Sequence, residues 1–414
     1  MVVVIGGGPA GMMAAISAAS DQNEVMLIEK NEYLGRKLLL TGGGRCNLTN
    51  ICKSEDLVHH FSKTGSFLRD AFKAFDNNDL VAYFAERGLK TRTEEDGRVF
   101  PATDKASSVL DLLKKELKKL NTKVLINTGA KKVLVRQSAV KGVLCEDGAI
   151  VEADRVIVAS GGLSYKVTGS TGDGIRMAEE LGHTTVPLRP GLAALTLESV
   201  LPERLEGVTL DGVKLTFKTG KKKVVSEKGS IIFTKNGISG PVTLSSSSKV
   251  IDWLNEGKKV SLEIDIIPMF DPREAEKMLI EKISKSSTKG IKNLLKEFMP
   301  VRFQDVLLEL SKIPQDKKAN RLTTKERKDL IALLKGLKFN MSNTVSFEKA
   351  RITRGGVSVK EIDPKTMESK KIKGLYFAGE MIDVDGNCGG FNLQAAFSTG
   401  YLAGLCAKTQ KDAE

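Results

Sequence analysis

The 414-residue chain is 41% hydrophobic and 28% charged, and no apolar run approaches the roughly 18 residues of a bilayer span. That composition excludes membrane-spanning and disordered classes, and the length exceeds what one hydrophobic core supports, so two or three domains are expected. Five cysteines without a CxxC pair and only three histidines exclude a disulfide framework and a structural zinc site, while a net charge of +13 leaves open an anionic partner such as RNA or a lysine-rich solvated surface.

Residues 2–30 read as strand, glycine turn, Ala-rich helix and strand, which is one βαβ unit. The strand begins at Val2, leaving no room for a basic leader, so a cytoplasmic location is expected. Gly6, Gly8 and Gly11 fall in GxGxxG spacing directly after that strand, with Pro9 and Ala10 between them among the expected cofactor contacts. Gly6 permits the tight turn, Gly8 lets the backbone approach a pyrophosphate, and Gly11 lets the helix lie close on the strand. Glu29 ends the second strand, where a carboxylate can accept hydrogen bonds from a ribose diol; NAD and FAD both carry that diol, so the turn alone does not choose between them.

Next comes GRKLLLTGGGRCNLTN, residues 35–50, in which Gly42, Gly43 and Gly44 can bring backbone N–H groups against a flat ring or a phosphate. Residues 110–120 carry apolar side chains at helical spacing, and 124–126, 132–135, 142–144 and 156–159 read as short strands. After His183 prolines interrupt the chain, and the alternating runs 213–217, 230–233 and 260–264 predict an antiparallel β domain. Residues 271–339 read as amphipathic helices, one opened by a capping box at Thr323 and Glu326. Residues 271–340 hold 17 Lys and Arg against 10 Asp and Glu, so any electrostatic function belongs there. Beyond Thr353 the glycines return: 374–378 is again a strand, leading through Gly389 and Gly390 into a helix that starts near Asn392 and ends near Ala407. Two distant segments converging on one ligand imply a long cofactor.

These blocks resemble the BaiN/YhiN-type family of NAD(P)/FAD-dependent flavoproteins over nearly the whole chain. Residues 35–50 carry the most specific part of that resemblance. VASGG at 158–162, the stretch 169–183, NGISGP at 236–241 and GGVSVKEID at 355–363 add to it. The resemblance implies an α/β fold with a Rossmann-like two-dinucleotide-binding FAD domain, residues 1–187 and 345–414. Between these parts it implies an inserted β-rich domain, 188–270, and a helical subdomain, 271–344, folded over the flavin. It places the ADP part of FAD on Gly6, Gly8, Gly11, Glu29 and Lys30. Arg36, Lys37, Thr41, Gly42, Gly43, Gly44, Arg45, Cys46 and Asn47 fall on the diphosphate and flavin side. Ala159, Ser160, Gly161 and Gly162 fall on the adenosine side, Gly379, Glu380, Gly389, Gly390 and Asn392 close over the ribityl chain and pyrimidine end, and Val133, Phe391 and Leu393 are further expected cofactor contacts. Lys166 stands where the family carries proline, which bears on the loop beside Tyr165.

No second GxGxxG follows a strand, so NAD(P)H is expected as a transient electron donor at the flavin face. Tyr165, Cys388 and Arg354 are the candidate catalytic residues: a proton donor, a thiol beside the ring, and a cation for an anion or for flavin charge. Each also has a bland reading as packing, an inert thiol or a surface arginine. Asp383 and Asp385 read as turn formers, and adjacent His59 and His60 point apart, so no metal site is expected. The resemblance implies reduction of a C=C bond conjugated to a carbonyl in a small apolar, steroid- or bile-acid-like substrate. The alternatives are oxidation of a small amine such as aminoacetone, and RNA modification. For RNA, residues 271–340 offer only Phe298, Phe303 and Phe339 as stacking surfaces, so a nucleic-acid partner is not expected. The sequence specifies no oligomeric state.

Overall fold

A computed structural model describes residues 1–20, 23–285, 290–342 and 347–408. The chain divides into two compact units, Met1–Pro190 with Ala350–Glu414, and Gly191–Lys349. The expected boundary between residues 344 and 345 lies outside the described residues.

In the first unit the apolar runs Val2–Ile5, Val25–Ile28 and Arg155–Val158 form the middle of a five-stranded parallel sheet, completed by Leu375–Phe377 on one edge and Lys123–Leu125 on the other. Strands apolar along their whole length suit such a sheet, because helices cover both of its faces. The glycine-turn helix Pro9–Ala18 is buried from Ala10 to Ala18. It has no polar face because it lies between other elements on every side. Its main helical neighbour is the C-terminal helix Phe391–Cys406. A Cβ on Gly400 would collide with the Ala10 carbonyl oxygen, and one on Gly404 with the Ala14 carbonyl and Ser17 Oγ. Ser17 Oγ also donates to the Tyr401 carbonyl at 2.9 Å, so the two helices cross at backbone contact.

Helix Ala106–Lys119 buries Val109, Leu110, Leu113 and Leu117 and ends on Lys118 and Lys119, as its periodicity predicts. Strands Ala130–Arg136, Ala139–Cys145 and Ile150–Glu152 form a separate antiparallel sheet. Past helix Asp173–Glu180, the buried His183 ring sits 3.1 Å from Glu361 Oε2 and 3.0 Å from Ser369 Oγ. Burial holds that ring below its ordinary value against the pull of Glu361. Partial burial would raise the Glu361 carboxyl, but hydrogen bonds from Lys371 and from the Thr184 N–H and hydroxyl hold it at about 2.

The second unit is built on an antiparallel sheet in the order Leu195–Thr196, Gly237–Ser239, Gly229–Thr234, Thr209–Thr219, Ser261–Asp265, Leu337–Asn340, with Lys222–Val225 paired back onto Thr209–Thr219. Phe217 and Phe233 are buried in this unit. Helices Pro272–Lys285, Ile291–Leu295, Val301–Leu310 and Thr324–Lys335 follow, the last opened by the predicted capping box of Thr323 and Glu326. Part of the basic surplus is closed locally, through Lys282–Glu297, Lys292–Asp305 and Lys317–Glu326.

Gly400→Ala gains about 1 kcal/mol of helix propensity, yet its Cβ meets backbone that cannot yield, and overpacking costs about 1–3 kcal/mol. A lowered urea midpoint is therefore expected, and a raised one would show that the helices can separate. Glu361 has a folded value below its unfolded 4.5, so its contribution is complete above about pH 5 and is lost as pH falls toward about 2. The melting difference between wild type and Glu361→Gln should therefore narrow between about pH 5 and pH 3, and a constant difference would contradict the network.

Candidate cofactor site

The strand order places Val2–Ile5 between a strand that follows it closely and one that returns from far along the chain. Such a topological switch opens a crevice at the carboxyl ends of the strands. A cavity lies there, walled by Ile5, Ile28 and Ala159 at the strand ends and by Asn392, Leu393 and Ala396 of the C-terminal helix. Gly6, at φ +106°, turns the chain so tightly that a Cβ would sit 2.6 Å from the Ala159 carbonyl oxygen. A Cβ on Gly11 would strike the Gly6 carbonyl oxygen, whereas one on Gly8 would have nothing within 4 Å. The approach to the helix is therefore open at Gly8 alone among the three. No side chain caps that helix and no acid sits in its first turn, so its free N–H groups and positive end face the cavity.

Glu29 is buried at the end of its strand. It accepts from the Gly7 N–H at 2.7 Å and from the Asn31 N–H and amide at 2.8 and 2.6 Å, which fixes the glycine turn. Among the described residues, four cations stand on the cavity wall: Lys30, Arg36, Lys37 and Arg351. Lys30 is paired with Asp173 at 2.5 Å and bonded to Thr171, and Arg36 donates to Asn31 Oδ1 at 2.9 Å. Lys37 is paired with Glu380 at 2.6 Å and donates to Ser164 Oγ at 2.7 Å. Glu380 also accepts from the Thr353 N–H, and Thr353 Oγ1 accepts from the Leu163 and Ser164 N–H groups. This network ties the N-terminal block, the loop after Arg155–Val158 and the C-terminal strands together at one wall.

Of the expected cofactor contacts, residues 6, 8–10, 29–30, 36–37, 159–161 and 379–380 line the cavity, with Thr41, Asn392 and Leu393. Others shape it from behind. Gly42, Gly43 and Gly44 are consecutive left-handed residues that form the turn. Arg45 turns away, with its guanidinium 3.8 Å above the Phe100 ring and 2.6 Å from Glu94. Cys46 is fully buried, which pushes its thiol up to about 12 and makes it inert. Asn47, with its amide oriented to suit its neighbours, accepts from the Gly390 N–H at 3.0 Å and so joins the two distant blocks. A Cβ on Gly162 would meet Thr353 and one on Gly390 would meet the Thr49 carbonyl, while Gly389 lies against the Phe391 ring. Phe391 itself stacks on His60 at 4.1 Å. Val133 is buried inside its strand, and Thr128 and Ala130, just ahead of it, reach the cavity instead.

None of the three candidate catalytic residues is on the cavity wall. Tyr165, at φ +57°, caps a short turn, with Lys166 in a 3₁₀ helix, and Thr168 from that turn is the residue that lines the cavity. Arg354 donates from Nε to the Pro190 carbonyl at 3.2 Å. The Cys388 thiol is held above its ordinary value by burial, with Arg351 and Arg98 pulling it down. Sequence reasoning missed the polar wall residues Arg351, Asn31 and Asp173 and the hydroxyls of Thr128, Thr168, Ser170 and Thr399. Arg351 and Arg354 are three apart in strand Ala350–Val357, and the two-residue period of an extended strand sends such a pair to opposite faces. That parity was a usable signal. Asn31 and Asp173 carried none.

The donor set suits FAD: a ribose-binding carboxylate, an open glycine before a helix N-terminus for the diphosphate, and a second N-terminus at Gly390, free of side-chain caps and acids, for the oxygens of a pyrimidine ring. A bound flavin would supply hydride transfer. Fold and site together define a Rossmann-type flavoprotein whose cofactor site is assembled from both ends of the sequence. More narrowly, the profile of the HI0933-like protein Rossmann domain family matches residues 1–406, and the chain belongs to that family of FAD-dependent oxidoreductases.

Among curated proteins, the 3-dehydro-bile acid delta(4,6)-reductase of Clostridium scindens is 36% identical over 406 residues, covering 98% of each chain. The ribosomal RNA dihydrouridine synthase of Haemophilus influenzae is 31% identical over 413 residues, covering 99% of this chain and 98% of that one. Among solved structures, the 3-ketosteroid-delta4-(5alpha)-dehydrogenase of Rhodococcus jostii RHA1 superposes with a TM-score of 0.52 at 15% identity, covering 99% and 96% of the two chains, a likeness of fold. No helix among the described residues is long and apolar enough to cross a membrane, and they hold no cluster of potential metal ligands.

Gly8→Ala tests the site directly. The new methyl enters open space at a helix N-cap, so the apoprotein should lose about 1 kcal/mol or less, while FAD affinity should fall by about tenfold or more as the diphosphate loses its approach. Equal FAD affinity in fluorescence titration would show that the ligand does not cross this turn.

Proposed function

We propose that the protein reduces a carbon–carbon double bond conjugated to a carbonyl, drawing electrons from NAD(P)H through FAD. The observation that carries this reading is the full-length 36% identity to an enzyme named for reducing the delta(4,6) double bonds of a 3-dehydro bile acid. The dihydrouridine synthases support the same bond chemistry, because dihydrouridine arises by saturating the uracil double bond next to a carbonyl. In this reading Glu29 holds the adenosine ribose and Gly6 to Ala10 the diphosphate. Thr41, Asn392 and Leu393 bound the flavin end. The conjugated carbonyl matters chemically because it accepts the electron density displaced when hydride adds to the far carbon.

The first substrate class is a steroid- or bile-acid-like enone, in the cytoplasm. A second, uridine within RNA, is favoured by the net charge of +13 and by the 17 Lys and Arg against 10 Asp and Glu of residues 271–340.

The deciding experiment is anaerobic stopped-flow absorbance at ~450 nm, where a bound flavin absorbs strongly. NADH or NADPH should bleach the protein, and one of a 3-keto-4-ene steroid or a uridine-containing ribosomal RNA fragment should restore the colour. Recovery by RNA that weakens about a hundredfold or more as salt rises through the physiological range selects the second substrate. Bleaching by a small amine with recovery only in air would overturn the reductase reading.

A further inference from the structure

Three of the four cations on the cavity wall are already engaged. Lys30 is closed by Asp173, Lys37 by Glu380, and Arg36 by the Asn31 amide with the Tyr33 ring 5.4 Å away. Arg351 differs. Its side chain is exposed on the cavity wall, and its guanidinium has no hydrogen-bond or ion-pair partner among the described residues. Only its backbone is tied, the carbonyl accepting from Ser164 Oγ at 3.4 Å beside the Lys37–Glu380 pair.

The side chain lines the cavity that Asn392 and Leu393 also wall. Arg351 acts on the Cys388 thiol, two residues ahead of Gly390, the N-cap of the C-terminal helix. That helix is 16 residues long, with no side-chain cap and no acid in its first turn. Its positive end and the Arg351 side chain belong to the same cavity, whose wall also includes Asn392 and Leu393. A guanidinium and a helix N-terminus carry the same sign, so both favour an anion placed between them.

We infer that Arg351 holds the negative charge that the flavin gains on reduction, and thereby sets its reduction potential. A hydride delivers two electrons and one proton, so its transfer from a nicotinamide, which leaves as the oxidised cation, adds one negative charge to the acceptor. The Arg351 guanidinium lowers the energy of that anionic form more than of the neutral oxidised form. Arg354, on the opposite face of the same strand, lies off the cavity wall and contributes nothing to it.

The test rests only on the flavin reading of the cavity and uses no enone or RNA, so it stands or falls independently of the substrate. The FAD-loaded protein is equilibrated anaerobically with reference dyes, and its midpoint potential is read from absorbance. Arg351→Gln should shift the oxidised–reduced equilibrium about tenfold toward oxidised, about 30 mV for a two-electron couple. Its FAD dissociation constant should change far less than that of Gly8→Ala. Arg351→Lys, which keeps the charge, should recover most of the shift, and Arg354→Gln should match wild type. Should the Gln variant not retain FAD, Arg351→Met replaces it with the same expected fall. A midpoint unchanged in the neutral variant, or a fall of equal size in Arg354→Gln, overturns the assignment.

Discussion

The close crossing of the glycine-turn helix and the C-terminal helix is the contact on which the site depends. It brings residue 10 against residue 400 and residue 14 against residue 404, through glycines that admit no side chain. With that crossing fixed, Gly379 lies against Ala10, the Gly379 N–H donates to Thr399 Oγ1, and the Leu375–Phe377 strand completes the parallel sheet beside Arg155–Val158. Two helix N-termini thereby open onto one cavity. Their fields add where an oxygen-rich ligand would lie, and neither depends on a charged side chain.

Around those fixed dipoles the charged side chains are mostly neutralised in pairs. Lys30 with Asp173 and Lys37 with Glu380 are ion pairs whose members come from distant parts of the chain. Pairs of this kind at a half-buried wall add modest stability, but they set distances between segments. They hold the loop after Arg155–Val158 and the strand Ala350–Val357 in place around the cavity.

Most of the fold and the adenosine half of the site were legible in the sequence. A strand, three glycines at fixed spacing and an acid at the end of the next strand have few other uses, and the structure puts Gly6, Gly8 and Glu29 on one wall. The predicted strands and the capping box at Thr323 are equally local, and local patterns survive packing. The flavin half was less legible because its residues are chosen by tertiary geometry. Arg45 and Asn47 sit in the most specific block of the sequence, yet one stacks on Phe100 and the other stitches Thr49 to Gly390. They build the wall without lining it. Arg351 and Arg354 are the same residue type and differ only in strand parity, and in Ala130–Arg136 it is Ala130, three positions before Val133, that reaches the cavity.

The division of the first unit has a consequence for synthesis on the ribosome. The opening strand, the glycine turn and three neighbouring strands are complete once residue 158 has been made, but the fifth strand and the crossing helix lie beyond residue 374. At about 5–20 residues per second, the intervening chain takes roughly 10–40 s to emerge. Throughout that interval the nascent protein carries an open sheet edge and an uncovered apolar helix, and it has only half of a cofactor site. The two halves of the cavity wall can therefore meet only after the Phe391–Cys406 helix has been made. A chain ending between residues 158 and 390 would keep the recognisable nucleotide fingerprint and lack the wall that Asn392, Leu393 and Ala396 supply.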